Sequence, residues 1–301
     1  MEASQVTPAR PAFAIRGARQ LVMDYISLTK PKVQSLLLLT TVATMYVAGR
    51  PSLLLVAATC FGGYLSAGGA GAINHYFDRD IDARMARTAS RPIPAGRISP
   101  RAGLAFGIAL AVASFVELSV AVNVLCATLA LAGFAGYVGV YTIWLKRSTP
   151  QNIVIGGAAG AIPPLVGWSA VTGTLDPTAL YLFAIVFYWT PPHFWALALL
   201  MKDEYAKVGV PMLPVVRGED ETRRQILLYT GLLAVVTLLP VVGGLFGAIY
   251  AALAVLLDAA FSTLAIVLAR RADRRSALRL YLFSLLYLAL LFGAMVADAR
   301  L

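Results

Sequence analysis

The chain has 301 residues, of which 59% are hydrophobic and 13% charged, with a mean hydropathy of +0.76. An ordinary soluble domain carries roughly 25% charged residues, so this composition excludes one and describes a chain that lives largely in lipid. The formal charge of +10 raises nucleic-acid binding as a reading. Basic residues in membrane loops, however, are ordinarily a signal of insertion and anionic lipid, and no nucleic-acid partner is expected.

Residues 1–25 read as a mobile cytoplasmic tail. The first 20 contain Pro, Ala and Arg but no apolar core, which is not the pattern of a secretory signal. A mitochondrial presequence shares the Arg-rich, acid-poor character, but the stretch is short and carries Glu2, so a bacterial inner membrane is the expected location. Residues 26–301 read as one domain. Apolar runs follow at 33–49, 52–74, 102–120, 122–145, 153–172, 178–200, 226–245, 247–269 and 278–297. Each approaches the roughly 20 residues that a helix needs to cross a bilayer core, and none alternates as barrel strands do. The expected fold is all-α: a polytopic bundle of about nine transmembrane helices around a central cavity.

Lys and Arg concentrate in cytoplasmic loops. With the N-terminus inside, 23 of the 25 basic residues fall on one side, leaving only Arg50 and Arg300 on the other. Cys60 and Cys126 lie inside spans without CxxC spacing and read as packing residues.

The polar residues cluster in two inner loops. The first begins at the end of the second span and runs NHYFDRDIDARMARTASRP. If the helix continues beyond the bilayer, Asn74, Asp78 and Asp82 share one face, four residues apart. Like charges at that spacing repel. Mg2+ removes the penalty, because it accepts one or two carboxylates together with water and phosphate oxygens. Asp80 points away and is expected to pair with Arg84 or Arg87. The second segment, KDEYAK, brings Asp203 and Glu204 to the same side, as a second metal position, as a support that fixes the first set of ligands, or as helix caps and anchors. Lys32, Arg87, Arg91, Lys146 and Lys207 are placed to neutralise a diphosphate as its C–O bond breaks.

The run NHYFDRDIDARMARTASRPIPAG resembles the first aspartate-rich motif of the intramembrane (UbiA-type) prenyltransferases. Three further segments, TKPKV, YTIWLKRSTPQNIVIGGAAGAIPPLVGWSAVTG and YWTPPHFWALALLMKDEYAKVGVPMLPVV, resemble the protohaem IX farnesyltransferase (haem O synthase) branch, over roughly residues 25 to 300. The resemblance implies a farnesyl group passed from farnesyl diphosphate to a vinyl group of haem B, with water addition and Mg2+ as the cation. It implies a metal role for Asn74, Asp78 and Asp82, and extends one to Asp203 and Glu204, although the superfamily's second motif is D-x-x-x-D and this chain departs from it. A haem A synthase or terminal oxidase pathway is the implied destination of the product.

Both histidines, His75 and His193, lie within these motifs. Each is a candidate haem contact or simply a hydrogen-bonded core residue. Tyr76, Tyr141, Tyr188, Trp189 and Trp195 are candidate walls for an allylic cation, or plain packing. Pro191 and Pro192 are expected to kink the sixth span. Asp258 sits mid-span, where a carboxylate is expensive. The rival readings are a prenyltransferase acting on a phenolic ring and a transporter built around the paired prolines.

Overall fold

The computed structural model describes residues 17–300. Most of the expected tail therefore lies outside the described residues. The remainder is ordered by residue 18, because Ala18–Leu28 forms helix α1, whose buried Asp24 is bonded by Arg97 at 2.9 and 3.1 Å.

The elements that follow are α2 (Pro31–Ala48), α3 (Leu53–Phe77), α4 (Arg79–Arg84), α5 (Pro100–Ala121), α6 (Val124–Ala135), a π-helix (Gly136–Leu145) and α7 (Lys146–Ser148). Next come α8 (Asn152–Gly160), α9 (Ile162–Thr172), α10 (Pro177–Leu200), α11 (Lys202–Lys207) and α12 (Leu213–Val216). The chain closes with α13 (Gly218–Val242), α14 (Ala248–Arg271) and α15 (Arg274–Asp298). No strand occurs among the described residues.

Eight of the nine expected spans are long and apolar enough to cross a membrane. The first, α2, is an 18-residue helix whose opening turn carries Lys32 and Gln34, which lowers its apolar content. The protein is thus a multi-pass helical membrane protein. The helices follow one another around the bundle, and α15 packs back on α2 to close it.

Two spans differ from uniform α-helix. The run expected at 153–172 is two helices joined at Ala161, because Pro163 and Pro164 have no N–H to continue the ladder and instead begin α9. The run expected at 122–145 changes from α to π at Gly136. By contrast, α10 stays one helix through Pro191 and Pro192, so the carbonyls of Phe187 and Tyr188 lose their intrahelical donors.

Helices α3 and α5 meet through small residues. A Cβ on Gly69 would lie 2.7 Å from the Gly107 carbonyl oxygen, and Ser114 Oγ donates to the Gly62 carbonyl at 2.7 Å. Backbones approach this closely only where side chains are absent. Gly69→Val should therefore lower stability by about 1–3 kcal/mol. Thermal unfolding in detergent would show it, and an unchanged midpoint would contradict the close approach.

Asp258 is buried in α14 and accepts hydrogen bonds from Tyr287 Oη at 2.6 Å and Thr237 Oγ1 at 2.7 Å. It ties α13, α14 and α15 together, which answers why an acid is tolerated there. Arg300, at the opposite end of the bundle from the polar loops, donates to the carbonyls of Tyr46 and Gly49, the unsatisfied end of α2. Cys126 is buried, Cys60 is half-buried, and both are free thiols.

Candidate active site

The polar cluster forms where α3 leaves the apolar bundle. Hydrogen bonds from Asp78 N to Asn74 O (2.9 Å) and from Asp82 N to Asp78 O (2.7 Å) carry the helical repeat across the α3–α4 junction. Asn74, Asp78 and Asp82 therefore keep one face, and all three are buried.

Each carboxylate already has a cation. Lys146 bonds Asp78 Oδ2, and Arg91 bonds Asp82 Oδ2 at 2.7 Å. Arg91 reaches back from the loop after α4, which is held in turn by Thr88 Oγ1 donating to the Asp82 carbonyl at 2.9 Å. The Asn74 amide is fully engaged. Its Nδ2 donates to Asp78 Oδ2 (2.8 Å) and Thr142 Oγ1 (3.1 Å), and its Oδ1 accepts from Lys30. Lys30 Nζ also lies 3.4 Å from Tyr137 Oη. Burial, reinforced by the cations of Arg91 and Lys146, pulls the Lys30 ammonium down to about 7.

Not every expected residue joins this cradle. Lys32 and Arg87 are exposed, and Lys207 is an exposed partner of Glu204 at 3.8 Å. Glu204 accepts from the Ala86 backbone N–H at 3.1 Å, so it fastens the first polar loop to α11. Asp203 is exposed. Among the described residues no three His, Cys, Asp or Glu side chains converge, so Asp203 and Glu204 do not gather with Asp78 and Asp82. The Asp80 carboxylate pairs with neither Arg84, which donates instead to the Asp80 backbone carbonyl at 3.2 Å, nor Arg87. The fork of Arg147 takes it at 2.6 and 2.8 Å, holding its carboxyl down to about 2. The reason is spatial: α7 lies directly beside the α3–α4 junction, and Arg147 also donates to the Phe77 carbonyl.

Sequence reasoning missed Lys30, Tyr137 and Thr142 as parts of the cradle. Lys30 stood in the quoted TKPKV segment, two residues from the lysine that was chosen. Thr142 stood in the quoted YTIWLKR segment and Tyr137 just before it, but neither stood out by its chemistry, since neutral hydroxyls inside an apolar span are common.

The oxygen-rich set fits a hard divalent cation. Asp78 Oδ1 is buried without a hydrogen-bond partner, its nearest cation being the Arg147 guanidinium at 3.9 Å, so it keeps a lone pair that a metal would satisfy.

The two histidines differ. His75 is buried with neither ring nitrogen bonded. His193 is stacked between Trp189 and Tyr281, with ring centroids 4.4 and 4.9 Å away. Its Nδ1 lies 2.6 Å from Ser284 Oγ, which itself donates to the Tyr281 carbonyl at 2.6 Å. Two oxygens that close require the serine proton between them. Ser284 must then accept from His193 Nδ1–H, which leaves Nε2 as the unprotonated nitrogen. Trp189 Nε1 donates to the Ser284 carbonyl at 2.8 Å, fixing the same junction. Of the other expected walls, Trp195 is buried against Tyr229, Tyr188 packs near Tyr229, Tyr141 against Tyr137, and Tyr76 carries Arg79 on its ring.

The UbiA prenyltransferase family model matches residues 36–291. The chain belongs to that family. Among relatives, the protoheme IX farnesyltransferase of Chloroflexus aurantiacus is 58% identical over 93% of this chain and 48% of its own length, and that of Roseiflexus sp. is 55% identical over 96% and 55%. The chain thus spans about half the length of these curated relatives. The protoheme IX farnesyltransferase of Symbiobacterium thermophilum is 53% identical, with 93% of this chain and 95% of that protein covered. The UbiA fold is shared with a digeranylgeranylglyceryl phosphate synthase structure (TM-score 0.78, 19% identity, 94% of this chain and 100% of the other). It is shared too with a UbiA homolog from Archaeoglobus fulgidus bound to DMAPP and Mg2+ (TM-score 0.70, 18% identity, 90% and 99% covered).

Proposed function

We propose that this UbiA-family protein transfers a farnesyl group from farnesyl diphosphate to a vinyl group of haem B. Water adds to the neighbouring carbon, and the products are haem O, diphosphate and a proton. The observation that carries the reading is the buried cradle, where Asn74, Asp78 and Asp82 meet Lys30, Lys146 and Arg91 at the edge of an apolar bundle. The acceptor rests on the relatives' names and on the aromatic seat of His193.

Asn74, Asp78 and Asp82 are the residues that would hold Mg2+. The metal supplies charge neutralisation for the departing diphosphate. Lys146 and Arg91, now paired with the carboxylates, are within reach to turn their N–H donors to the phosphate oxygens as negative charge builds there. Lys30 adds a third donor, and an arriving phosphate favours its charged form. Glu204, by tying the loop at Ala86, keeps Arg91 in place and helps exclude water from the allylic cation. His193 Nε2 is free to meet haem iron, which would orient the vinyl edge. His75 is a second polar contact for the acceptor. Asp203, Lys32, Arg87 and Lys207 stay at the rim, where they attract anionic substrate from solution. The distribution of basic residues favours the N-terminus and the cradle on the cytoplasmic side, and the membrane in question is a bacterial inner membrane, as the bacterial relatives support.

The test is a membrane assay with haem B, farnesyl diphosphate and Mg2+, reading haem O by chromatography and mass. Haem O formation is expected, abolished by a chelator and restored by added Mg2+. Prenylation of a phenolic acceptor without haem O would overturn the acceptor. Full activity after chelation would overturn the metal role.

A further inference from the structure

The π-helix interrupts an otherwise regular span at the level of the cradle. Its hydrogen bonds close i→i+5 rings, as in the Lys146 N–H donating to the Tyr141 carbonyl. In an α-helix of 3.6 residues per turn, Lys146 would stand about two and a half turns from Tyr137, on the opposite side of the helix. Thr142, five residues from Tyr137, would be turned well away from it. In the wider π turn, positions five apart come nearly into line. Tyr137, Thr142 and Lys146 then fall on one side of the helix.

All three polar groups on that face reach the same target. Tyr137 Oη meets Lys30, Thr142 Oγ1 accepts from Asn74 at 3.1 Å, and Lys146 bonds Asp78. Among the described residues no other helix supplies a partner to Asn74 Nδ2. A π segment is rare inside an α-helix and occurs frequently at functional sites.

We propose that the π-helix Gly136–Leu145 is the register device of the diphosphate cradle, and that Thr142 is a positioning residue acting through the Asn74 amide. The wide turn lets one helix present Tyr137, Thr142 and Lys146 together. Thr142 holds the Asn74 amide with its oxygen toward Lys30 and the incoming metal. The inference rests on the functional reading above only in taking a prenyl diphosphate as the ligand, and it is independent of the acceptor.

The experiment measures binding of unreactive farnesyl thiodiphosphate with Mg2+ to the full chain in detergent, together with steady-state KM and kcat. Deleting Gly139 removes the extra residue of the π turn from its exposed side. Gly139→Ala is the control, since nothing lies within 4 Å of its added Cβ. The deletion is expected to weaken analogue binding by about 100-fold, as a misplaced Lys146 implies, while Gly139→Ala binds as the parent does. Thr142→Val should raise KM for farnesyl diphosphate about five- to tenfold, the scale of one lost hydrogen bond. It should leave KM for haem unchanged, and Thr142→Ser should recover most of the loss. If the deleted protein does not fold, the Thr142 pair decides. Parent-like analogue binding by the deletion variant, or equal KM for Thr142→Val and Thr142→Ser, overturns the proposal. A parent protein that fails to bind the analogue overturns the functional reading and this inference with it.

Discussion

Membranes carrying Asp78→Asn are expected to form haem O at a rate about 10²- to 10³-fold below the parent protein. The loss is the size seen when one preorganised group facing developing charge is removed. Asp78 is 1% exposed and Lys146 13% at the side chain, so the variant also leaves a largely buried ammonium without its counter-charge. Breaking such a pair costs about 3–5 kcal/mol, and a low yield of folded protein would imitate a catalytic effect. The pair Asp78→Asn with Lys146→Met separates the two. Thermal stability should return toward the parent value while activity stays lost. If the double variant regains activity with its stability, Asp78 serves the fold alone and the cradle is misassigned.

The second large effect concerns haem. Haem B titrated into the detergent-solubilised protein is expected to give a Soret shift, and His193→Ala should abolish it. Ser284→Ala should weaken haem binding by about 10- to 100-fold, the usual consequence of removing the group that orients a ligating imidazole. Without Ser284 Oγ as acceptor, the ring is free to place its proton on Nε2, where it blocks iron. Ser284→Thr keeps the hydroxyl and should keep most of the affinity. Unaltered spectra for both His193→Ala and Ser284→Ala would remove His193 from the haem site.

The helices were legible because an apolar run of about 20 residues has few alternatives. The departures from plain helix were legible only in part. Pro163 and Pro164 announce a break, yet Pro191 and Pro192 do not make one, because neighbouring helices α13 and α15 clamp α10 on both sides. The π-helix carries no proline, and its glycines, Gly136 and Gly139, are equally compatible with a plain helix at a close packing contact; it answers to contacts with α3 that a linear reading does not contain. The same holds for the site. Four-residue spacing was enough to find Asn74, Asp78 and Asp82, since it depends on one helix. Partners brought by other helices were not readable: Arg147 displaces the local arginines from Asp80, Thr142 buttresses Asn74, and Glu204 turns to a backbone N–H.

On the proposed function, the pairing of each carboxylate with its own cation bears on the order in which diphosphate and metal would arrive. A diphosphate alone must compete with Asp78 and Asp82 for Lys146 and Arg91. A divalent cation alone must compete with Lys146 and Arg91 for the carboxylates. Arriving together, the two ligands exchange partners with the cradle without leaving a bare charge in the bundle. Each therefore raises the affinity for the other, and by linkage the effect is reciprocal. On that reading the salt bridges Asp78–Lys146 and Asp82–Arg91 keep the cradle charge-balanced, and donor and metal would enter as one pair whose charges largely offset each other.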